Sequence, residues 1–423
     1  MTLRRSLRNE RCCIILELFG VPVAYCLGIS SLLYFILENM PLVTFAQRFF
    51  YGLDSFTLLC IPGFMLAGNL MNTGGITYQI VRFCDKVIGH IRGGLGLANI
   101  GASMIFAGVS GTAAADAAPL GGILIPAMVK DGYDADYSVA VTAASSCIGP
   151  IIPPSVPMIM AGTLTGISVS KMFVAGVIPG ILMGLGMMIV AWVISVKRNY
   201  PKNEKRASFR EAFWALLMMV IILAGILTGI VTSTEASIIA VLYALFVGFF
   251  IYRELNVKMA LAVIRDSMVG AAGIMVLVGF ANVFAYVLTK EQIPTMIANW
   301  ILSVTTNKFV ILLIINIFLL FVGCFMETIA ALTILFPVLL PVVTSIGVSP
   351  IQFGVMCVLN LVIGLTTPPV GVCLFITSSI GKISIAQGTK AIIPFLICNF
   401  VVLLLVTYFP PVTLWLGGLL YGI

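Results

Sequence analysis

Charge is what this chain has least of. Only 9% of its 423 residues are Asp, Glu, Lys or Arg, against roughly 25% in an ordinary globular domain. That scarcity excludes a water-facing surface of normal polarity. Histidine is nearly missing too: the one copy, His90, sits in a polar connection and is not read as a ligand. There is no HExxH, no GxSxG with a partner histidine and no pair of catalytic aspartates, so nothing supports an enzyme working inside a membrane. No GxxxxGK[ST] occurs either, and with it goes an ATP site. The ten cysteines are scattered through apolar segments without a CxxC pair or a metal-type spacing, which makes them buried free thiols. No organic cofactor is implied.

What the chain does have is apolar length. Hydrophobic residues make up 61% of it and the mean hydropathy is +1.15. Windows such as 16–37, 174–196, 212–231 and 391–416 approach the ~20 apolar residues that span a bilayer. The expected class is an all-α polytopic membrane protein, surrounded by lipid. The start, MTLRRSLRNER, is basic and the apolar run after it continues too long for a cleavable signal peptide. The net charge of +7 calls for no nucleic-acid partner, because cytoplasmic loops of membrane proteins are enriched in Lys and Arg.

The basic stretches orient the chain. Arg4, Arg5, Arg8 and Arg11 precede the first apolar run, and the loop 197–211 carries six basic and two acidic residues. Both read as cytoplasmic, as do the stretches 82–92 and 253–265. Crossings at 16–37, 56–71, 139–167 and 173–196 satisfy these charges only if the run 95–129 enters and leaves on one side. The second half behaves likewise. Crossings at 212–231, 237–252, 267–289, 354–380 and a last one near the C-terminus leave 310–343 as a second re-entrant hairpin. Nine crossings put the N-terminus in the cytoplasm and the C-terminus in the periplasm. Asp54, Asp85 and Glu235 fall at membrane boundaries and read as interfacial.

In the middle of the run 139–167 stands IGPIIPPSVP (148–157), with four prolines that should break any helix. A related block, IGLTTPP (363–369), follows 215 residues later. The same offset places Pro126 on Pro341, Gly108 on Gly323, Gly132 on Gly347 and Gly166 on Gly381. A simple proline kink explains one copy poorly and two symmetric copies less well. Five crossings separate the copies, so they are inverted. Inverted repeats with broken helices near the midplane mark secondary transporters. The expected organisation is therefore a stub with the first scaffold helix (1–55), a first repeat (56–196), the basic loop (197–211), central scaffold helices (212–265) and a second, inverted repeat (266–423).

Broken backbone at membrane depth is tolerated where it faces protein or a watery cavity. Its freed carbonyls suit a cation, and a half-helix N-terminus suits an anion. The hairpin turns carry matching groups: Ser110, Thr112 and Asp116 in FAGVSGTAAADAAPLGG, and Glu327 with Thr328 in FVGCFMETIAALT. Small residues there also suit plain helix contact, but an intramembrane carboxylate is costly and usually functional. Asp116 and Glu327 are each able to bind a cation, take a proton or cap a half-helix.

The segments IPGFMLAGNLMNTGGI (61–76), GVSGTAAADAAPLGGILIPAMVKDGY (108–133), SSCIGPIIPPS (145–155), GCFMETIAALTILFPVLLPV (323–342) and GLTTPPVGVCLF (364–375) resemble the large membrane subunit of TRAP transporters, the tripartite ATP-independent periplasmic transporters of bacteria. The resemblance runs from about Gly20 onward. It implies an inner-membrane, Na⁺-driven importer of carboxylate-bearing solutes such as C4-dicarboxylates or sialic acids. It also implies a periplasmic binding protein and a small four-helix membrane subunit, which would be a separate chain because too little sequence precedes residue 16 to hold it. Movement would be of the elevator type. Carried onto this sequence, one Na⁺ site takes Ser110, Thr112, Gly149, Ile152 and Pro154. The offset extends it to a second at Phe325, Glu327, Gly364, Thr367 and Pro369. Thr112 and Asp116 would border the solute. Two alternatives stay open: a carboxylate transporter of similar architecture that needs no binding protein, and H⁺ coupling through Asp116 and Glu327.

Overall fold

Apolar runs without polar partners can satisfy their backbone in lipid only as helices, and the described residues of the chain contain helices and no strands. The computed structural model describes residues 21–110, 112–202, 209–305 and 307–421; side chains at 107–110, 209–212 and several within 298–304 fall outside that description. So do the N-terminal arginines and residues 203–208 of the basic loop. Seven described helices are long and apolar enough to cross a membrane singly; the broken helices are built from shorter pieces.

Each repeat contains a hairpin followed by a broken helix. In the first, Gly94–Ser110 and Ala113–Lys130 form the arms, then Ala135–Ser145 and Val156–Thr165 flank the proline block. In the second, the arms are Lys308–Gly323 and Thr328–Ser345, and the half-helices are Pro350–Gly364 and Val372–Gly381. Both hairpins return to the end at which they began. The Leu95 amide donates to Tyr133 Oη at 3.3 Å, and Lys308 Nζ donates to the Gly347 carbonyl at 3.2 Å.

The 215-residue offset holds in detail. Shifting Ala113–Lys130 by it gives 328–345, the bounds of the second arm. Gly132 and Gly347, which follow these arms, both take the left-handed backbone, at φ 88° and 72°. The Pro153–Pro154 and Pro368–Pro369 bonds are both cis. Pairs the sequence reading did not use obey it as well. Tyr137 Oη donates to the Ala191 carbonyl at 3.4 Å, and their partners repeat the contact, Gln352 Nε2 to the Val406 carbonyl at 3.0 Å. Pro179 and Pro394 lie inside the helices Val169–Lys197 and Ile385–Tyr408 that follow each broken helix.

The remaining long helices pack beside this core. Phe56–Thr73 and Ser233–Ile251 run parallel: Thr234 Oγ1 donates to the Phe56 carbonyl at 3.2 Å at one end, and Gly74 meets Gly248 near the other. Val257–Lys290 lies across Val23–Leu37, with Phe280 seated on Gly28.

Several expected boundaries change. The stretch 253–265 is not a connection: Asn256 accepts from the Met259 amide at 2.8 Å and starts a single helix, Val257–Lys290. The window 391–416 is cut at Phe409–Pro410–Pro411 into Ile385–Tyr408 and Pro411–Tyr421, since successive prolines cannot donate to the preceding turn. The half-helices begin at Ala135 and Pro350, four residues before 139 and 354, because their first turns lie outside the apolar runs. Three short helices, Leu42–Leu53, Ile76–Ile88 and Ile293–Val304, were not anticipated. A search for bilayer-length runs passes over helices apolar on one face only; Ile76, Ile80 and Cys84 are such a face, and all three are buried.

Candidate ion and solute site

The second arm of the first hairpin starts just after Thr112. Thr112 takes an extended conformation (φ −135°, ψ 142°) and stands at the N-cap of Ala113–Lys130. One turn on, the Asp116 amide donates to the Thr112 carbonyl at 3.2 Å. Asp116 is only 1% exposed. Its carboxylate fills the space beside Gly149, where even a methyl group would overlap it. Thr112, Asp116 and Gly149 are thus brought together. The Ser110 side chain lies outside the described residues.

The first break is sealed. Residues 151–160 are all buried. A turn of 3-10 helix at Ser146–Ile148 ends the first half-helix, and Ser155 caps the second by accepting from the Met158 amide at 3.2 Å while donating to the Pro150 carbonyl. Close packing of Val169–Lys197 closes the outer side. Its Gly176 faces the Ile151 carbonyl, its Gly180 the Ile152 side chain and its Gly184 Met104, a stripe of small residues that lets backbone approach backbone. Ile152, 8% exposed, therefore sits on the helix-facing side of the turn, and Pro154 is buried.

The second tip is open. Glu327 is the N-cap of Thr328–Ser345, and its Oε2 accepts from the Ile329 and Ala330 amides at 2.8 and 3.2 Å. Of the roles open to it from sequence, capping is the one its bonds display. Gly364 lies backbone to backbone on Gly323, and Cys324 Sγ donates to the Pro368 carbonyl at 3.6 Å. The Thr367 hydroxyl turns back onto the Ile363 carbonyl at 2.8 Å. Phe325 is 51% exposed, Val370 43%, and Pro369 is exposed beside it. Of the second predicted set, Gly364 is at the hairpin contact, while Phe325 and Pro369 are at the surface.

The two breaks touch. Cys147 Sγ donates to the Val362 carbonyl at 3.4 Å and lies 3.6 Å from Thr366 Oγ1. Cys147 and Val362 are themselves 215 residues apart. A contact between repeat partners has to lie on the pseudo-twofold axis, so the axis passes between the breaks.

Sequence reasoning missed the polar clamps that fix each hairpin to its half-helix. Asn99 Nδ2 donates to Thr142 Oγ1 at 2.6 Å and Ser103 Oγ to Ser145 Oγ at 2.9 Å. In the second repeat Asn360 Nδ2 donates to Asn316 Oδ1 at 2.7 Å, and Asn316 Nδ2 to Thr407 Oγ1 at 3.0 Å. Ser145 and Asn360 are repeat partners one turn before their breaks. The signal was there as polar residues at helical spacing inside apolar runs.

At the basic end Arg198 Nη1 binds Asp134 and Asp136 at 2.8 and 2.9 Å, and Tyr200 Oη donates to Asp134 at 2.7 Å. The Tyr200 hydrogen bond, helped by Arg198, holds the Asp134 carboxyl below its ordinary value of 3.8. His90 is exposed there, and no disulfide joins the eight described cysteines, seven of which are buried.

Residues 11–412 match the DctM component of the tripartite ATP-independent periplasmic transporters. The chain belongs to this family. It is 41% identical to the sialic acid TRAP transporter large permease SiaM of Vibrio cholerae, over 95% of this chain and 96% of that one. It is 38% identical to the C4-dicarboxylate TRAP large permease DctM of the same organism, over 95% of each. Among solved structures, the YdaH transporter of Alcanivorax borkumensis superposes with a TM-score of 0.69 at 15% identity, covering 98% of both chains, a likeness of fold. The protein is thus the large permease of a TRAP transporter and not an enzyme. It is a multi-pass membrane protein that works with a small membrane subunit and a periplasmic binding protein.

Proposed function

We propose that this permease imports a carboxylate-bearing organic solute by Na⁺ symport, the two hairpins and broken helices moving together as an elevator. The observation that carries the reading is the meeting of two inverted breaks on the repeat axis through Cys147 and Val362, each faced by its own hairpin. Na⁺ at the breaks neutralises carbonyls released by the prolines and orders the tips. One site takes Ser110, Thr112, Gly149, Ile152 and Pro154. The other takes Phe325, Glu327, Gly364, Thr367 and Pro369. The helix starting at Ala113, with Thr112 at its cap, then offers its positive end to the solute carboxylate. The inward move of each Na⁺ is worth roughly 2.3 kcal/mol per 100 mV, and about 1.4 kcal/mol is a factor of ten in solute. The solute class follows from the relatives, whose names specify sialic acid and C4-dicarboxylates. The basic end, with Arg198 and Lys197, faces the cytoplasm of an inner membrane; the N-terminus lies inside and the C-terminus outside.

Burial of Asp116 beside the first break favours a second reading, H⁺ coupling through that carboxylate and Glu327. Uptake by proteoliposomes holding both membrane subunits and supplied with loaded binding protein separates the two. An inward Na⁺ gradient drives accumulation under the first reading. An inward H⁺ gradient without Na⁺ drives it under the second.

A further inference from the structure

Away from the tips, a cavity of about 380 Å³ opens between the parallel pair of long helices and the far half of the first broken helix. Its lining has an unusual origin. Nine of its thirteen residues are the cap and first two positions of three helices: 55–57, 168–170 and 232–234. The helices that start there are Phe56–Thr73, Val169–Lys197 and Ser233–Ile251. The first amides of a helix have no partner within it, so three sets of N–H donors and three positive dipole ends converge on one space. Seven of those nine residues carry hydroxyls, and no acidic side chain lines the cavity.

Ser233 supplies an independent sign of a ligand. It lines the cavity, is 7% exposed, and its hydroxyl has no hydrogen-bond partner among the described residues. Neighbouring groups are spoken for. Thr234 donates to the Phe56 carbonyl, and Thr232 is committed to a capping box with Glu235, which takes its amide at 2.7 Å and its hydroxyl at 2.9 Å. Glu235 and Asp54 are exposed outside the cavity. A hydroxyl of a largely buried residue lining the cavity beside orphan amides suits an acceptor-rich guest, and the volume suits a small organic acid. The place is also suggestive. Val169–Lys197 begins in the cavity and ends at the basic end, about 43 Å away for 29 residues.

We propose that this cavity is a carboxylate-binding vestibule on the periplasmic face, where solute leaving the binding protein is held before it reaches the hairpin tips. The proposal rests on the import reading above for its direction, and on the lining alone for its chemistry. Anion capture by amides and hydroxyls, with no basic side chain in the lining, gives a weak site that releases what it takes.

The test uses the chain with its small subunit in Na⁺-free choline buffer. Acetate, succinate and N-acetylneuraminate are titrated by saturation-transfer NMR, with succinamide as neutral control. The carboxylates should bind and succinamide should not. Ser233→Asp and Ser170→Asp, each placing a carboxylate among the donors, should weaken binding at least tenfold while leaving the Na⁺-dependent melting shift intact. Ser170 is half-buried and serves if Ser233→Asp does not fold. In reconstituted uptake both variants should raise KM for loaded binding protein at least fivefold at unchanged kcat. Carboxylate binding absent in choline, or equal in wild type and variants, overturns the vestibule, and Na⁺-driven uptake would still stand. Uptake indifferent to Na⁺, with binding and its loss in the variants as stated, overturns the coupling and leaves the vestibule.

Discussion

The two helix breaks share a cis Pro–Pro bond at the same repeat position and have opposite surroundings. At the first, residues 151–160 are buried and Asp116 is pressed against Gly149 under the glycine stripe of Val169–Lys197. At the second, Phe325 and Val370 are exposed, and the carboxylate of Glu327 is spent on the amides of its own helix. The residues behind each break explain the difference. Gly176, Gly180 and Gly184 correspond by the offset to Ala391, Phe395 and Asn399, which cannot let a neighbour approach as closely. Repeat symmetry therefore sets the path of the chain, while side-chain volume decides which break is covered. One carboxylate is left facing its break and the other holds a helix in place.

Substitutions at the glycines test this most severely. Gly364→Ala would drive a methyl into the Gly323 backbone, which has nowhere to go. It should cost about 3 kcal/mol, the upper end of overpacking effects, and lower melting sharply. Gly149→Ala meets only the tip of Asp116. It should cost about 1 kcal/mol yet cut uptake more than tenfold, because the carboxylate must turn away. Equal losses of stability at the two sites would break the comparison.

The clamps come next. Asn360→Ala takes the short bond from Asn316 Oδ1, leaving it only a 3.5 Å bond from the Thr407 hydroxyl, and should cost about 1–3 kcal/mol, whereas Ser145→Ala removes a hydroxyl that accepts from Ser103 and donates to the Thr142 carbonyl and should cost about 1 kcal/mol. Melting of the two variants side by side checks the order. Glu327→Gln should lower stability by about 1 kcal/mol through a weaker cap, and Asp116→Asn should lower it less while damaging uptake more.

The smallest effect belongs to the basic end. Asp134 is held below its ordinary carboxyl value, so its contribution is complete above about pH 4 and is lost as the pH falls below that range. The Arg198 pairs are partly exposed; Arg198→Ala should cost less than about 1 kcal/mol at neutral pH. The pH dependence of its melting should flatten on the acid side relative to the wild type.

Much of this was legible in the chain before any coordinates. Glycines and prolines betrayed the repeat because few other residues can stand at a break, and IGPIIPP and IGLTTPP announced both hairpin partners. Less legible were pairs whose chemistry differs between the repeats. Tyr137 and Gln352 reach the same carbonyl position with different side chains, and Ser145 and Asn360 share a clamp without sharing an identity. A search for identities passes over such pairs. The exposure of Phe325 and Pro369 depends on helices remote in sequence, so spacing alone could not show it. Nor could it show a cavity assembled from three helix starts more than sixty residues apart.

The central claim is that both breaks hold Na⁺. Its most direct test is thermal unfolding of the permease with its small subunit in NaCl, KCl and choline chloride at equal ionic strength, for the wild type and for Ser110→Ala and Glu327→Ala. At ten times its dissociation constant, bound Na⁺ should stabilise by roughly 1.4 kcal/mol. A dose-dependent rise in melting with Na⁺ alone, reduced by a variant at either tip, is the predicted result. Identical melting in all three salts would contradict it.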